Sequence, residues 1–129
     1  MLLDTNVILR FLLADHETLS PRAQTLFRRA AAGELDLLIP SLIAAECVYT
    51  LRSFYKLPKR EITAALTRLL GLPGVAALEG LVLTQALDVY AASNVDLADA
   101  YLAALGQGLG YSIGSFDRDL KKLGAEVLE

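Results

Sequence analysis

Apolar residues along this chain recur in two patterns, and together these patterns predict alternating strands and helices. Short continuous apolar runs predict buried strands, whereas apolar residues at i, i+3, i+4 and i+7 predict helices that pack one face on a core. The predicted strands are Met1–Asp4, Leu35–Ile39, Val75–Leu78 and Tyr111–Ile113, with an additional edge strand at Val127-Leu128. The first predicted helix begins at Thr5 or Asn6, and the next ones cover Ser20–Ala32, Pro40–Tyr55, Pro58–Leu70 and Leu81–Ala92. A last helix begins at Asp96 and ends in the glycines at 106, 108 and 110.

Two of these boundaries depend on specific start and stop signals. Ser20 is expected to cap the second helix, because Pro21 suits a first helical turn and Gly33 lies just past the predicted end. The glycines at 106, 108 and 110 are expected to terminate the helix that begins at Asp96.

The alternation of strands and helices predicts the fold class. Short strands separated by helices favour a parallel sheet that helices cover on both faces, so the chain is expected to be α/β. The sequence has 129 residues, which is the length of one compact domain. Residues 1–129 are therefore predicted to form a single domain.

The charge balance and the single cysteine restrict the chemistry. Twelve lysines and arginines against 15 aspartates and glutamates give a net charge of −3, so a phosphate-bearing partner must be bound locally rather than through net charge. Cys47 is the only cysteine. This excludes an internal disulfide and a thiol-based zinc cluster, and it favours a reducing compartment.

No export signal and no membrane span are predicted. Asp4 and Arg10 interrupt the apolar N-terminus. The longest uncharged stretch, Ala100–Phe116, contains several glycines and predicts a helix end, a turn and a strand. We therefore expect a cytoplasmic protein with no membrane partner.

Carboxylates follow two of the predicted strands. Asp4 closes the first strand, and Asp117 follows the strand Tyr111–Ile113. In an open parallel sheet, ligands bind outside the carboxyl ends of the strands. Both carboxylates are therefore expected to face one crevice.

Two further carboxylates lie among apolar residues on predicted helices. Glu46 is the only charged residue between Leu42 and Leu51, and an isolated ionised carboxylate on such a face is costly unless a positive group meets it. Asp99 repeats the pattern, with apolar residues at i−4, i+3 and i+4, namely Val95, Leu102 and Ala103. Each helix is thus expected to direct one acid inward.

Four carboxylates brought together repel one another unless a cation neutralises them. Ligands that are all oxygen suit Mg²⁺ or Mn²⁺ better than zinc. Such a site has room for a phosphodiester and an attacking water, which is the arrangement of metal-assisted phosphoryl hydrolysis. The acids therefore predict a metal-dependent hydrolase of phosphodiesters.

Four motifs spread over essentially the whole chain resemble the PIN-domain pattern, specifically that of the VapC-type ribonuclease toxins of toxin–antitoxin pairs. They are Asp4-Thr5-Asn6 after the opening strand, Glu46 on the third helix, Val95-Asp96-Leu97-Ala98-Asp99-Ala100, and Ser115-Phe116-Asp117-Arg118-Asp119.

This resemblance implies roles for individual residues. Asp4, Glu46, Asp99 and Asp117 would form the metal-binding catalytic cluster. Asn6 and Ser115 would be supporting polar groups, with Asp96 and Asp119 as outer acids.

The same resemblance has implications for the fold, the oligomeric state, the activity and the partners of the protein. It implies a three-layer α/β/α fold with a short central parallel sheet, and a homodimer. It also implies Mg²⁺- or Mn²⁺-dependent endoribonuclease activity and inhibition by a small cognate antitoxin protein. Basic residues in and after the Glu46 helix are candidates for binding RNA phosphates, namely Arg52, Lys56, Lys59, Arg60 and Arg68.

Each motif also has a structural interpretation. Asp96 and Asp99 fit a capping box, and Asp117 and Asp119 suit the start of a short helix. Glu46 could pair with a buried arginine, and the basic residues could form a solvated face.

Two other function classes compete with the nuclease. One is a catalytically silent module of the same fold whose acids bind a basic segment of a partner. The other is a phosphoacceptor signalling domain. That class expects an acidic pair after the first strand, where Asp4 stands alone, and an aspartate closing the third strand, which ends here in Leu78-Glu79.

Overall fold

Short strands alternate with helices throughout the computed structural model, which describes residues 1–124 and 126–128. In chain order the elements are α1 (Thr5–Leu13), α2 (Leu19–Ala31), β1 (Leu37–Ile39), α3 (Ser41–Ser53), α4 (Lys59–Leu70), β2 (Val75–Ala77), α5 (Leu81–Ala92), α6 (Leu97–Leu109), β3 (Ile113–Gly114), α7 (Asp119–Lys122) and β4 (Val127–Leu128). They form two compact units, residues 1–79 and residues 80–129, called here the N-terminal and C-terminal units.

A short parallel sheet organises the N-terminal unit. Strand β1 pairs in parallel with β2, with Leu38 opposite Ala76. On its other edge β1 pairs with the chain start, where a parallel bridge joins Leu2 to Leu38 and the Leu3 amide donates to the Leu38 carbonyl at 3.0 Å. The carboxyl ends of the chain start and of β1 therefore lie at the same edge of the sheet.

The buried core of the N-terminal unit takes its largest side chains from β1 and from helices α1, α3 and α4. Its fully buried side chains are aliphatic, among them Ile8, Leu37, Ile39, Leu51, Ile62 and Leu66. Gly74 lies where the chain enters β2, with φ at +77°, and a Cβ built there would lie 2.5 Å from the Ala30 carbonyl oxygen. This glycine permits both the left-handed backbone and the close approach of α2.

The predicted cap of α2 is wrong. The helix begins at Leu19, and Ser20 lies inside it and is buried. Thr18 occupies the N-cap position without a side-chain capping bond, and His16 Nδ1 accepts from the amides of Thr18 and Leu19 at 3.3 and 3.0 Å. The Ser20 hydroxyl donates instead to the Arg10 carbonyl at 2.8 Å, which joins the start of α2 to α1.

The C-terminal unit packs helices against a second pair of parallel strands. Strands β3 and β4 pair in parallel with Ile113 opposite Val127, so the predicted edge strand at the C-terminal end is confirmed. Ala103, Ile113 and Leu120 form a buried cluster. This cluster joins α6, β3 and α7.

The predicted end of α6 needs correction. The helix runs through Gly106 and Gly108 and ends at Leu109, with Gly110 in the left-handed conformation. Gly106 is buried and lies under the chain that follows the helix, because a Cβ there would be 3.0 Å from the Tyr111 carbonyl oxygen. It therefore serves close packing, and only Gly110 serves as the terminator.

The α/β class with short parallel strands is confirmed. The single-domain prediction over residues 1–129 includes positions 125 and 129, which lie outside the described residues, and it stays a prediction. In the part of the chain that the structure describes, no helix has both the length and the apolar character that a membrane crossing requires.

Candidate active site

Asp4 lies at the carboxyl edge of the N-terminal sheet. It is the residue before α1 and has an extended backbone, with φ at −85° and ψ at 157°. Its Oδ1 accepts a hydrogen bond from the Thr5 amide at 2.8 Å. This hydrogen bond caps α1 with one carboxylate oxygen, while Oδ2 has no hydrogen-bond partner among the described residues.

Glu46 lies on α3, the helix that follows β1. Its Oε2 accepts a hydrogen bond from the Thr5 hydroxyl at 2.5 Å. Burial raises the pKa of the neighbouring Cys47 thiol to about 12, and the negative charges of Glu46 and Asp4 contribute to the rise. The two carboxylates thus act on the same part of the N-terminal unit.

The expected burial of Glu46 is wrong. Its side chain is exposed, and so are its uncharged neighbours Leu42 at 80% and Tyr49 at 71%. The buried face of α3 is a different one, formed by Ala44, Cys47, Val48 and Leu51. The position of Glu46 is therefore set by a hydrogen bond and not by an apolar environment.

Asp99 lies in the first turn of α6 and is half-buried. Burial raises the pKa of this carboxyl above its ordinary value, and the negative charges of Asp117, Asp96 and Asp119 raise it further. Like charges raise a carboxyl pKa because they disfavour its ionised form. Four acids of the C-terminal unit therefore share one electrostatic environment.

Two hydrogen bonds shape the loop that carries Asp117. The Ser115 hydroxyl oxygen accepts from the Asp117 amide at 2.9 Å, and Asp117 Oδ1 accepts from the Asp119 amide at 2.9 Å. Lys122 Nζ lies 3.3 Å from Asp119 Oδ1. Asp117 Oδ2 has no hydrogen-bond partner among the described residues.

The donor chemistry in both units fits a hard divalent cation. All the candidate ligands are carboxylate oxygens, which Mg²⁺ and Mn²⁺ prefer. Asp4, Glu46 and Asp117 each use one oxygen in the hydrogen bonds above, which leaves a second oxygen for an ion. Among the described residues of either unit, no three histidine, cysteine, aspartate or glutamate side chains form a group that could hold a metal.

The predicted supporting residues have different surroundings. Asn6 is exposed on α1 and lines a cavity of about 420 Å³ between α1 and α2, together with Arg10 and Arg22. Asp96 precedes α6 but makes no side-chain capping hydrogen bond, so the capping-box interpretation is wrong for it. Ser115 makes the loop hydrogen bond that a supporting role requires. These roles stay predictions.

The basic candidates follow the Glu46 helix. Arg52 lies in the last turn of α3 and donates to the Leu57 carbonyl at 3.2 Å. Lys56 is exposed with φ at +60°, and Arg60 is exposed in the first turn of α4, beside Lys59. Arg52 thus has a structural contact within the connection from α3 to α4, and Lys56 and Arg60 extend from it into solvent.

Sequence reasoning missed Thr5 as a residue of this site. Its amide and its hydroxyl bind Asp4 and Glu46 respectively. The signal was present, because a hydroxyl residue directly after the acid sits at the first position of α1. The partner on α3 could not be found from the sequence pattern alone.

Comparison with known proteins adds one finding. The family model of the PIN domain matches residues 1–126 of the chain, nearly its full length. A comparison with curated proteins finds no match.

Proposed function

The chain belongs to the PIN-domain family, and on that premise we propose that it is a metal-dependent endoribonuclease. The PIN domain is a nuclease-type fold, and its nucleases typically use divalent metals. We propose Asp4, Glu46, Asp99 and Asp117 as the catalytic acids and metal ligands, and Mg²⁺ or Mn²⁺ as the ion.

The observation that carries the proposal is the crowding of acids around Asp99. Burial raises the pKa of its carboxyl, and the charges of Asp117, Asp96 and Asp119 raise it further, so these acids repel Asp99 in the folded chain. Carboxyls whose pKa is raised by burial and by neighbouring acids cluster at functional sites. Capping alone does not account for Asp99, because its carboxyl is half-buried among like charges.

The chain's own residues have two tasks at the metal in this proposal. The carboxylate oxygens that are not hydrogen-bonded to the backbone or to Thr5 hold the ion. When bound, a divalent ion neutralises charge on a phosphodiester and makes water a nucleophile near neutral pH. Ser115 keeps the Asp117 loop in one conformation through its bond to the Asp117 amide.

RNA binding needs positive charge close to the site, because the acids alone repel a phosphodiester. Lys56 and Arg60 are exposed beyond the Glu46 helix, and we propose that they bind RNA phosphates together with Arg52 and Lys59. Such contacts position the RNA without reading its sequence. Their removal should weaken binding and reduce its salt dependence.

The biological role that we propose is that of a toxin in a VapBC-type pair. The toxin would act in the cytoplasm as a homodimer, as one domain over residues 1–129, and a small antitoxin protein would inhibit it. Induced expression should arrest growth, and co-expression of a neighbouring small gene should relieve the arrest. Expression of Asp4→Ala at the same level should leave growth unaffected.

The direct test is cleavage of a defined RNA by the purified chain with and without Mn²⁺. Attack by water leaves no 2′,3′-cyclic phosphate, whereas attack by the neighbouring ribose hydroxyl does. We expect Mn²⁺-dependent cleavage, abolished by EDTA, with ends free of cyclic phosphate. Cleavage that persists in EDTA, or cyclic ends, would contradict the proposal.

A silent partner-binding module is the second candidate. One oxygen each of Asp4 and Asp117 already accepts a backbone amide, which a purely structural role also explains. Such a module would neither bind Mn²⁺ in a calorimetric titration nor cleave RNA, while the nuclease does both.

A further inference from the structure

Thr5 binds both acids of the N-terminal unit at once. Its amide donates to Asp4 Oδ1 at 2.8 Å, and its hydroxyl donates to Glu46 Oε2 at 2.5 Å. Asp4 is the adjacent residue, but Glu46 lies on a different helix. One residue therefore fixes two carboxylates that come from different elements of the unit.

Both the backbone and the side chain of Thr5 are conformationally restricted. Thr5 occupies the first position of α1, so its backbone is fixed by the helix, and a β-branched side chain has few rotamers. A distance of 2.5 Å lies at the short end for a hydroxyl that donates to a carboxylate, where the bond is charge-assisted and stronger than a neutral one. The hydroxyl has a single proton, which it donates in the hydrogen bond to Glu46.

The exposure of Glu46 gives this bond its importance. An exposed glutamate on a helix surface ordinarily samples several rotamers, because solvent does not restrain it. Ile43 and Tyr49 do not enclose it, since Tyr49 is 71% exposed and Ile43 is partly exposed. The Thr5 hydroxyl is the only hydrogen-bond donor to the Glu46 carboxylate among the described residues.

We infer that Thr5 is a positioning residue that orients Glu46, beside Asp4, for the divalent ion. By occupying Oε2 of Glu46 and Oδ1 of Asp4, it leaves Oε1 and Oδ2 to face a cation. Groups that hydrogen-bond to metal ligands in this way orient them, and their loss typically lowers metal affinity or activity about 10- to 100-fold. The inference rests on the proposed metal-dependent function.

A purely structural role is the competing explanation. Helices α1 and α3 belong to the same packed unit. In this explanation the Thr5 hydroxyl stabilises the packing of the two helices and has no role in metal binding. That role predicts a loss of stability when the hydroxyl is removed and no separate loss of metal affinity. Stability and metal binding must therefore be measured on the same variants.

The test compares Thr5→Val, which keeps the shape and removes the hydroxyl, with Thr5→Ser, which keeps the hydroxyl. For the intact chain and each variant, Mn²⁺ binding is measured by calorimetry, RNA cleavage by kcat and KM, and stability by thermal unfolding without metal. We expect Thr5→Val to lose about tenfold or more in Mn²⁺ affinity and a similar factor in kcat, with KM little changed. Thr5→Ser should stay close to the parent.

A second pair of variants separates the hydroxyl's effect on Glu46 from any other effect. In a Glu46→Ala background the hydroxyl has no carboxylate to hold, so adding Thr5→Val should cause no further loss of Mn²⁺ affinity. This non-additivity is the signature of two residues that act as a unit. If Thr5→Val does not fold, Thr5→Ala can replace it in both the parent and the Glu46→Ala background. The non-additivity of the losses in Mn²⁺ affinity can then still be measured.

The outcomes distinguish this inference from the proposed function. If the parent neither binds Mn²⁺ nor cleaves RNA, the proposed function is wrong and the inference falls with it. If the parent does both and Thr5→Val binds Mn²⁺ like the parent, only the inference is wrong. Equal losses in Thr5→Val and Thr5→Ser, or losses that add fully to Glu46→Ala, would also overturn it.

Discussion

The two units hold their acids in opposite ways. In the N-terminal unit, Thr5 donates hydrogen bonds to both Asp4 and Glu46. In the C-terminal unit, burial raises the pKa of the Asp99 carboxyl, and the negative charges of Asp117, Asp96 and Asp119 raise it further. Both N-terminal acids accept hydrogen bonds from Thr5, whereas Asp99 lies among like charges, although Asp117 accepts a backbone amide and Asp119 pairs with Lys122.

This difference teaches which acids depend most on a cation. A carboxylate that accepts hydrogen bonds is stable without a metal, whereas crowded carboxylates gain most when a positive ion arrives. We therefore expect the N-terminal acids to contribute preformed geometry. The C-terminal acids should contribute most of the electrostatic attraction for the ion.

The largest expected effect is the loss of RNA cleavage when a proposed metal ligand is replaced. The loss should be equally large for a ligand of either unit. Asp4→Ala and Asp99→Asn should each lower RNA cleavage by more than about 100-fold, because loss of a ligand should exceed the loss caused by removing a group behind a ligand. Steady-state cleavage with Mn²⁺ measures this. Asp36→Asn and Asp88→Asn are matched controls, since both are exposed aspartates outside the site, and they should cleave like the parent.

An unequal result would break the comparison. If Asp4→Ala abolished cleavage while Asp99→Asn cleaved at the parent rate, the crowded acids of the C-terminal unit would have no catalytic role. The proposed assignment of Asp99 would then be wrong.

The next effect concerns the stability of the N-terminal unit, in which Asp4 and Glu46 lie. Gly74→Ala places a Cβ 2.5 Å from the Ala30 carbonyl oxygen, at a φ of +77°, so it should destabilise the chain by more than about 2 kcal/mol. Gly33→Ala is the matched control, because its φ is +78° and no heavy atom lies within 4 Å of a Cβ there. It should cost only about 1–2 kcal/mol for the left-handed backbone.

Urea unfolding of the two glycine variants measures the difference between them, which isolates the steric contact. Equal losses would mean that α2 moves away from Gly74 at little cost. The close packing of Gly74 against Ala30 would then not contribute to the stability of the N-terminal unit.

A smaller effect should appear in the pH dependence of stability. The pKa of Asp99 is raised above its ordinary value of 3.8 in the folded chain, so the folded state binds its proton more tightly than the unfolded state. Its contribution to stability is present below 3.8 and is lost as the pH rises through the folded pKa. At neutral pH, Asp99→Asn should therefore be more stable than the parent without metal.

Thermal unfolding of parent and Asp99→Asn over acid to neutral pH checks this sign. The stability advantage of the variant should grow as the pH rises from below 3.8, and Mn²⁺ should reverse it, because an ion that binds the folded parent stabilises it. A parent that is the more stable of the two at neutral pH without metal would contradict the repulsion described here.

The sequence predicted the elements of the fold better than their ends. Helix α5 has the predicted bounds, and α4 follows Pro58 and ends at Leu70 as expected, because periodicity and proline are local signals. Gly110 ends α6 as predicted, but Gly106 was wrong as a terminator because it serves a tertiary contact with Tyr111. Ser20 was wrong as a cap because His16 Nδ1 accepts from the Leu19 amide, while the Ser20 hydroxyl donates to the Arg10 carbonyl.

The same distinction applies to the candidate site. Acids on the loops after strands and in first helical turns were identifiable, because their positions follow from local patterns. The exposure of Glu46 was not identifiable, since the buried face of α3 depends on what packs against it and not on the absence of other charges. Thr5 was missed because its partner lies on another helix.

The most direct test of the central claim is a calorimetric titration of Mn²⁺ into the parent, Asp4→Ala and Asp99→Asn, one variant from each unit. We predict that the parent binds Mn²⁺ and that each substitution lowers the affinity by more than about tenfold. A parent that does not bind Mn²⁺, or a variant of either unit that binds it as tightly as the parent, would contradict the claim that the acids of both units serve one metal-dependent function.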